Sequence, residues 1–217
     1  MKRLVLLPLT LTLASTAFST VYDAFTDWAP ANPNGVWSYG YTNSLGSAWN
    51  PFTIYWSGNP DAWADPSLQF LGVYRTVAGY SGGTTTCPAA MNVLHPGVNG
   101  QYAVARFTAP TTGTYNYSAG FFGIDWGGPT TTDVHVLLNG VAIQNGAINS
   151  FAAAPTVSFG GPISLTAGDT LDVAAGFGGD GYFNDSTAFK FRIENVPEPA
   201  SLLVIAGLAA LAKRRRS

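Results

Sequence analysis

The chain has 217 residues, of which 47% are hydrophobic and 10% charged, with 25 glycines, 14 prolines and one cysteine. Ten Lys and Arg face twelve Asp and Glu, but six of the basic residues lie at the two ends. Residues 20–195 therefore carry four basic side chains (Arg75, Arg106, Lys190, Arg192) against eleven acidic ones, a net charge of about −7. Such a body argues against nucleic acid and anionic lipid as partners and suits neutral glycans or cations. The lone Cys87 rules out an internal disulfide framework.

The first 19 residues read as a secretory signal peptide. Lys2 and Arg3 form the basic start, residues 4–13 the leucine-rich stretch, and Ala17 and Ser19 the small residues that place cleavage before Thr20. Residues 20–195 are then one domain of about 175 residues, large enough to bury a core without staples. No stretch of it has helical periodicity. Aromatic and β-branched runs predict strands at 36–41, 52–56 and 68–77. Residues 101–109 alternate, with Tyr102, Val104 and Arg106 on one face and Ala103, Ala105 and Phe107 on the other. Alternation continues through 114–124. Asn139-Gly140 between 133–138 and 141–144 is a strong hairpin signal, because both turn positions need φ > 0. Ala167-Gly168-Asp169 separates 163–165 from 171–175 in the same way, and 187–193 is the last predicted strand. Turns every eight to twelve residues point to an antiparallel β-sandwich. Residues 26–35, 57–67 and 80–100, rich in Pro, Gly, Asn or Asp, are the expected long loops.

Within 105–193, Arg106-Phe107-Thr108-Ala109-Pro110, Gly113-Thr114-Tyr115, Leu138-Asn139-Gly140 and Gly168-Asp169-Thr170-Leu171-Asp172 resemble the strand pairs of bacterial jelly-roll modules of the galactose-binding-like and carbohydrate-binding type. That resemblance implies a jelly-roll sandwich and says little about the ligand.

Candidate sites follow from the loops. Trp28, Trp49 and Trp63 sit beside Pro, Asn and Asp, where they either fill the core or present faces on which sugar rings stack. They are the candidate glycan-binding residues. Trp37 and Trp56, in predicted strands, are expected in the core. The glycine-bordered segment 178–186 brings together the oxygen donors Asp180, Asn184 and Asp185, which read either as ordinary turn formers or as ligands of a structural calcium. Catalytic motifs are missing: there is no Gly-x-Ser-x-Gly, no His-Glu-x-x-His and no phosphate-binding loop. His135 lies mid-strand, on the face opposite Val134 and Val136, and His95 precedes Pro96 in an expected loop. Cys87 has no nearby base to activate it and reads as a small buried hydrophobe. The expectation is a non-catalytic chain.

The last 22 residues have three parts. Val196, Pro197, Glu198 and Pro199 form a short polar motif. Residues 200–212 are an apolar run worth roughly 20 Å of helix, short of the ~30 Å hydrocarbon core. Lys213, Arg214, Arg215 and Arg216 would stay cytoplasmic. The combination resembles the PEP-CTERM sorting signal of Gram-negative bacteria. The resemblance implies export by the Sec machinery, transient anchoring in the inner membrane by a short transmembrane helix, recognition and cleavage by an exosortase, and delivery to the cell surface or the extracellular matrix. The function expected is binding or organising exopolysaccharide in a biofilm matrix. The alternatives are adhesion through protein–protein contacts and, least favoured, a polysaccharide-acting enzyme.

Overall fold

In a computed structural model, residues 19–128 and 130–196 are described. Residues 1–18 of the expected signal peptide, Pro197, Glu198 and Pro199, the apolar run and the basic cluster lie outside the described residues. The strands in chain order are β1 Val21–Asp23, β2 Trp37–Thr42, β3 Trp49–Pro51, β4 Ile54–Trp56, β5 Asp61–Ala64, β6 Gly72–Thr76, β7 Tyr80–Gly82 and β8 Thr85–Cys87. They continue with β9 Met91–His95, β10 Tyr102–Thr108, β11 Gly113–Gly123, β12 Asp133–Leu138, β13 Val141–Ala147, β14 Val157–Leu165, β15 Thr170–Gly176 and β16 Thr187–Val196.

Two large antiparallel sheets form, and β7 pairs with β8 as a separate two-stranded hairpin. The first runs β14-β11-β16-β9-β6-β5-β4, with β1 also on β16; the second runs β13-β12-β15-β10-β2-β3. β16 pairs with β11 along its full length, while its other edge is shared between β9 (Thr187–Phe189) and β1 (Arg192–Glu194).

Period-two alternation puts Ala103, Ala105 and Phe107 of β10, Val134 and Val136 of β12 and Leu171, Val173 and Ala175 of β15 into the space between the sheets. They meet Tyr115, Phe121, Phe189, Phe191 and Ile193 from the first sheet. Trp37 sits at the centre, 5.6 Å from the Phe107 ring and 5.5 Å from Phe191, with its indole N–H donating to Asp27 at 3.0 Å. Asn139 and Gly140 both have positive φ, as the hairpin signal requires. On the outer face of the second sheet, Arg106 makes a bidentate pair with Asp172, the residue opposite it on β15, and lies 4.1 Å under the Trp49 ring.

Several expectations are corrected. The predicted strand 52–56 shortens to β4, an edge strand of the first sheet, and β3 precedes it in the second. That edge position leaves Trp56 47% exposed, so it is not a core residue. The expected loop 57–67 contains β5, and the expected loop 80–100 contains β7, β8 and β9. Strand 68–77 shortens to β6, with Leu68 in a 3-10 turn, Pro66–Leu68. β14 is nine residues long rather than three.

His135 faces away from the core, as its position predicts, and its two ring nitrogens lie 2.8 Å from Asp133 Oδ2 and 2.7 Å from Asn145 Oδ1. Asp133 also accepts from the Tyr102 hydroxyl at 2.6 Å and the Gly178 N–H at 2.9 Å. Burial alone would lower the His135 pKa, but the bonds to Asp133 and Asn145 outweigh it and the pKa is raised. Burial would likewise raise Asp133, yet His135, Tyr102 and Gly178 hold it down to about 2. A histidine whose pKa is raised by folding contributes stability below its unfolded value of about 6.5 and loses that contribution as pH climbs through the folded value. Wild type should therefore melt above His135→Gln by the equivalent of about 1–2 kcal/mol near pH 5.5, the difference narrowing as pH rises through the raised folded pKa. Melting curves of the two proteins from pH 5 to 9 check this; a gap independent of pH contradicts it.

Candidate functional site

The first sheet has a second apolar face, turned away from the sandwich core. Cys87, Met91, Val93, Phe122, Ile124 and Ala188 cluster there, with Tyr74 and Ala152 packed against them. The β7–β8 hairpin lies over part of this face. Backbone bonds fasten it: Thr86 N–H to the Ile124 carbonyl and Trp126 N–H to the Thr84 carbonyl, both 2.9 Å.

Asp125 completes the attachment. It is 3% exposed; Oδ1 accepts from the Thr85 hydroxyl at 2.6 Å and the Thr84 hydroxyl at 3.2 Å, and Oδ2 accepts from the Ser186 N–H at 2.9 Å. One carboxylate thus ties together the hairpin, the residues after β11 and the loop before β16.

The part of the face that the hairpin leaves open is a cleft of about 440 Å³. Its rim carries Phe70 (62% exposed), Phe183 (70%) and Tyr80 (39%). Tyr182 stands between them, ring centroids 6.4 Å from Phe70 and 4.4 Å from Phe183, with its hydroxyl donating to Gln69 Oε1 at 2.6 Å. The polar lining includes Thr84, Thr85, Asp125, Asn184 and His95. A second groove of about 380 Å³, lined by Trp56 and Gln69, shares Phe70 and Tyr74 with the first, so the aromatic strip continues past one site.

His95 donates from Nδ1 to the Pro96 carbonyl at 2.8 Å, since a carbonyl can only accept. Burial lowers its pKa, so the ring is neutral at pH 7 and Nε2 is an acceptor. Gln69, Phe70 and Asn184 hold φ of 38°, 56° and 65°, a left-handed conformation uncommon outside glycine and costly for a bulky side chain. The Phe70 carbonyl is held there by the Tyr74 hydroxyl at 2.6 Å. Cys87 lines the floor but is buried, which pushes its thiol up to about 12; it is a packing residue.

The candidate tryptophans do not form a platform. Trp28 and Trp63 are 7% and 5% exposed and belong to the main core. The loop 24–35 is pulled inward by its own polar groups. The Asn32 amide bonds the Tyr39 N–H, the Tyr39 carbonyl and the Phe52 carbonyl at 2.7–2.9 Å, and the Trp63 indole N–H reaches the Ala29 carbonyl at 3.1 Å. Trp49 is half-buried on β3, stacked on Arg106 at the outer face of the second sheet. Nor do the three candidate calcium ligands converge. Asp180 and Asp185 meet at Thr131, whereas Asn184 faces the Thr84 hydroxyl at 3.4 Å and lines the cleft. Among the described residues, no three His, Cys, Asp or Glu side chains gather as a metal site. Burial pushes Asp185 up to about 7, with Asp180 and Asp125 acting the same way against the Thr131 N–H.

A family model described as the PEP-CTERM protein-sorting motif matches residues 195–217, which marks the chain as exported and targeted to the cell envelope. No curated protein matches the chain in sequence. Among solved structures it is similar to a family 35 carbohydrate-binding module from Clostridium thermocellum, at 17% identity over 82% of this chain and 98% of that one, TM-score 0.37. It is also similar to a CBM51 from Clostridium perfringens in complex with methyl-galactose, at 12% identity over 66% and 94%, TM-score 0.33. A third is rabbit GITRL, at 18% identity over 43% and 73%, TM-score 0.31.

Because Asp125 holds three segments at once, Asp125→Ala should cost on the order of 3 kcal/mol in urea unfolding, and Asp125→Asn less, since the amide keeps one acceptor oxygen. Equal stability of all three proteins would show that the hairpin is held by other means.

Proposed function

We propose that this is a non-catalytic envelope protein that binds uncharged polysaccharide in the cleft between the β7–β8 hairpin and the first sheet. The observation that carries the reading is the set of exposed aromatic rings, Phe70, Tyr80 and Phe183, around an apolar floor edged by hydroxyl, amide and imidazole groups. Large apolar rings open to water are costly surface unless something covers them. Sugar rings suit this lining: their C–H faces pack on aromatic rings while their hydroxyls meet the polar groups. The charge of the lining supports an uncharged ligand. It includes one carboxylate, Asp125, a neutral His95 and no Lys or Arg. Binding without turnover is favoured because both oxygens of that carboxylate already accept hydrogen bonds from the fold, and hydrolysis of glycosides ordinarily needs two carboxylates across the scissile bond.

In this reading the chain leaves the cytoplasm of a Gram-negative bacterium by the Sec route. Its tail anchors it transiently, an exosortase processes it, and it acts at the outer surface or in the matrix on the host's own exopolysaccharide. Val141 and Ile143, 68% and 39% exposed on the edge strand β13, favour a second reading in which the chain assembles through protein contacts.

Retention of the Thr20–Val196 unit on the host exopolysaccharide and on neutral and uronate-rich polysaccharides separates the two. Phe70→Ala with Phe183→Ala should weaken retention on the host polymer at least about tenfold while leaving the melting temperature unchanged, because both rings are exposed; about 1.4 kcal/mol of lost contact suffices. Retention that survives the double substitution would move binding elsewhere, and no retention on any polymer would favour protein assembly.

A further inference from the structure

We propose that the cleft is one half of a longer site. The groove beyond Phe70 takes the next sugars of the same chain, so the ligand is an extended stretch of linear, uncharged polysaccharide and not a free mono- or disaccharide. This rests on the cleft reading above and gives it a length and a direction.

Strand register lays the track. On β4, Tyr55 packs toward the core against Trp63, ring centroids 5.0 Å apart, so alternation turns Trp56 to the outer face of the first sheet. Trp56 lies opposite Ala62 of β5, Ala62 opposite Tyr74 of β6, and Tyr74 opposite Val93 of β9. Residues directly opposite share a face, so these four side chains form one row across the strands. Three strand spacings of ~4.8 Å make the row about 14 Å long, and the step to β16 and its preceding loop adds about 5 Å. Such a length exceeds a disaccharide. The cleft lies over the Val93 end of the row, and the second groove over the Trp56 end.

Phe70 lines both grooves and stands between them. Its left-handed backbone is held by the Tyr74 hydroxyl on its carbonyl, yet its ring is left open to water. Strained positions of this kind cluster at ligand clamps, and a ring with a groove on each side serves two successive sugars. Trp56, 47% exposed, is a second flat ring at the far end. β4 is the last strand of its sheet, so no further strand walls the strip off and a chain can run on past Trp56. The charge pattern of the cleft also continues. The second groove has one carboxylate, Asp65, whose Oδ1 already accepts from the Ser67 N–H at 2.9 Å and the Ser67 hydroxyl at 2.6 Å. No Lys or Arg lines either groove, which disfavours a polyanion along the whole strip.

The test is calorimetric titration of the Thr20–Val196 unit with fragments of the host exopolysaccharide, sorted by size from single sugars upward. Affinity should climb past the disaccharide and level off once the strip is filled, because a chain already in the cleft meets the second groove as an intramolecular contact. Trp56→Ala should weaken the long fragments about tenfold or more and leave the disaccharide unchanged, whereas Phe70→Ala should weaken both. Hydroxyl-radical footprinting of the wild-type protein gives a readout that needs no variant: long fragments should protect Trp56 from oxidation and the disaccharide should not. Affinity already complete at the disaccharide would overturn the proposal. So would a Trp56 that is neither protected by long fragments nor needed for their binding. In both cases, weakening by Phe70→Ala with Phe183→Ala would leave the cleft reading standing, while binding of no fragment at all would sink that reading and this one with it.

Discussion

The site depends on one buried carboxylate. Asp125 sits just beyond β11, where the chain leaves the first sheet, and its two oxygens collect donors from residues 84, 85 and 186. None of these segments could cover the outer face of the sheet alone. The hairpin has only three residues per strand, and an isolated two-stranded ribbon is marginal in water. Bonded to Asp125 and seated on Ile124 and Phe122 through Cys87, it becomes a wall. The opposite wall is the loop before β16, which the same carboxylate holds through Ser186. A cleft of this size exists because the wall on each side is fastened to a common point.

The two faces of the first sheet show why the wall is needed. Its inner face meets the second sheet in a core of large aromatic side chains. Its outer face is also apolar around Met91, Val93 and Phe122, and would be exposed without the hairpin. The hairpin covers the half nearest Ile124. The remaining half is bounded by the rings of Phe70, Tyr80, Tyr182 and Phe183. Left-handed backbone at Gln69, Phe70 and Asn184 falls at this boundary, and strained positions of this kind persist where surrounding contacts over-determine them. At Phe70 and Gln69 those contacts are the Tyr74 and Tyr182 hydroxyls, and at Asn184 the Thr84 hydroxyl.

The long alternating strands were legible in the sequence because side-chain period and burial coincide there. Ala103, Ala105 and Phe107 point inward and Val104 and Arg106 outward, as their spacing demands, and Asn139-Gly140 makes the turn its φ requirement predicts. β9 was not legible. It is five residues between prolines, and Asn92, set among apolar neighbours, lies buried with both side-chain polar atoms lacking a partner. The aromatic residues misled for a related reason. Trp28 has loop-like neighbours, yet Asn32 supplies in side-chain bonds what a strand would supply in backbone bonds, and the loop packs inward; Trp63 also has loop-like neighbours, yet it lies on β5, inside the first sheet between β4 and β6. Trp56 has strand-like neighbours, yet its strand is an edge. Local composition reports propensity; exposure is decided by the partner strand, which can lie far away in sequence. Tyr182-Phe183-Asn184 was visible as a polar loop, but its aromatic pair gains meaning only beside Phe70, more than a hundred residues earlier.

The sorting motif and the sandwich meet at a single strand. The matched motif begins at residue 195, and β16 ends at Val196, where it still pairs with Thr114 of β11. Every ladder contact described for β16 therefore lies at or before the first residue of the Val-Pro-Glu-Pro sequence. Cutting the chain after Val196 removes no strand and no pairing from the described fold, whereas cutting a few residues earlier would take away partners of both β1 and β11. Proline at positions 197 and 199 fits that division of labour, since it has no N–H to extend a ladder. The strand that closes the first sheet thus ends where the delivery signal begins. Removal of that signal is compatible with a sandwich, a clamped hairpin and an aromatic cleft that stay intact.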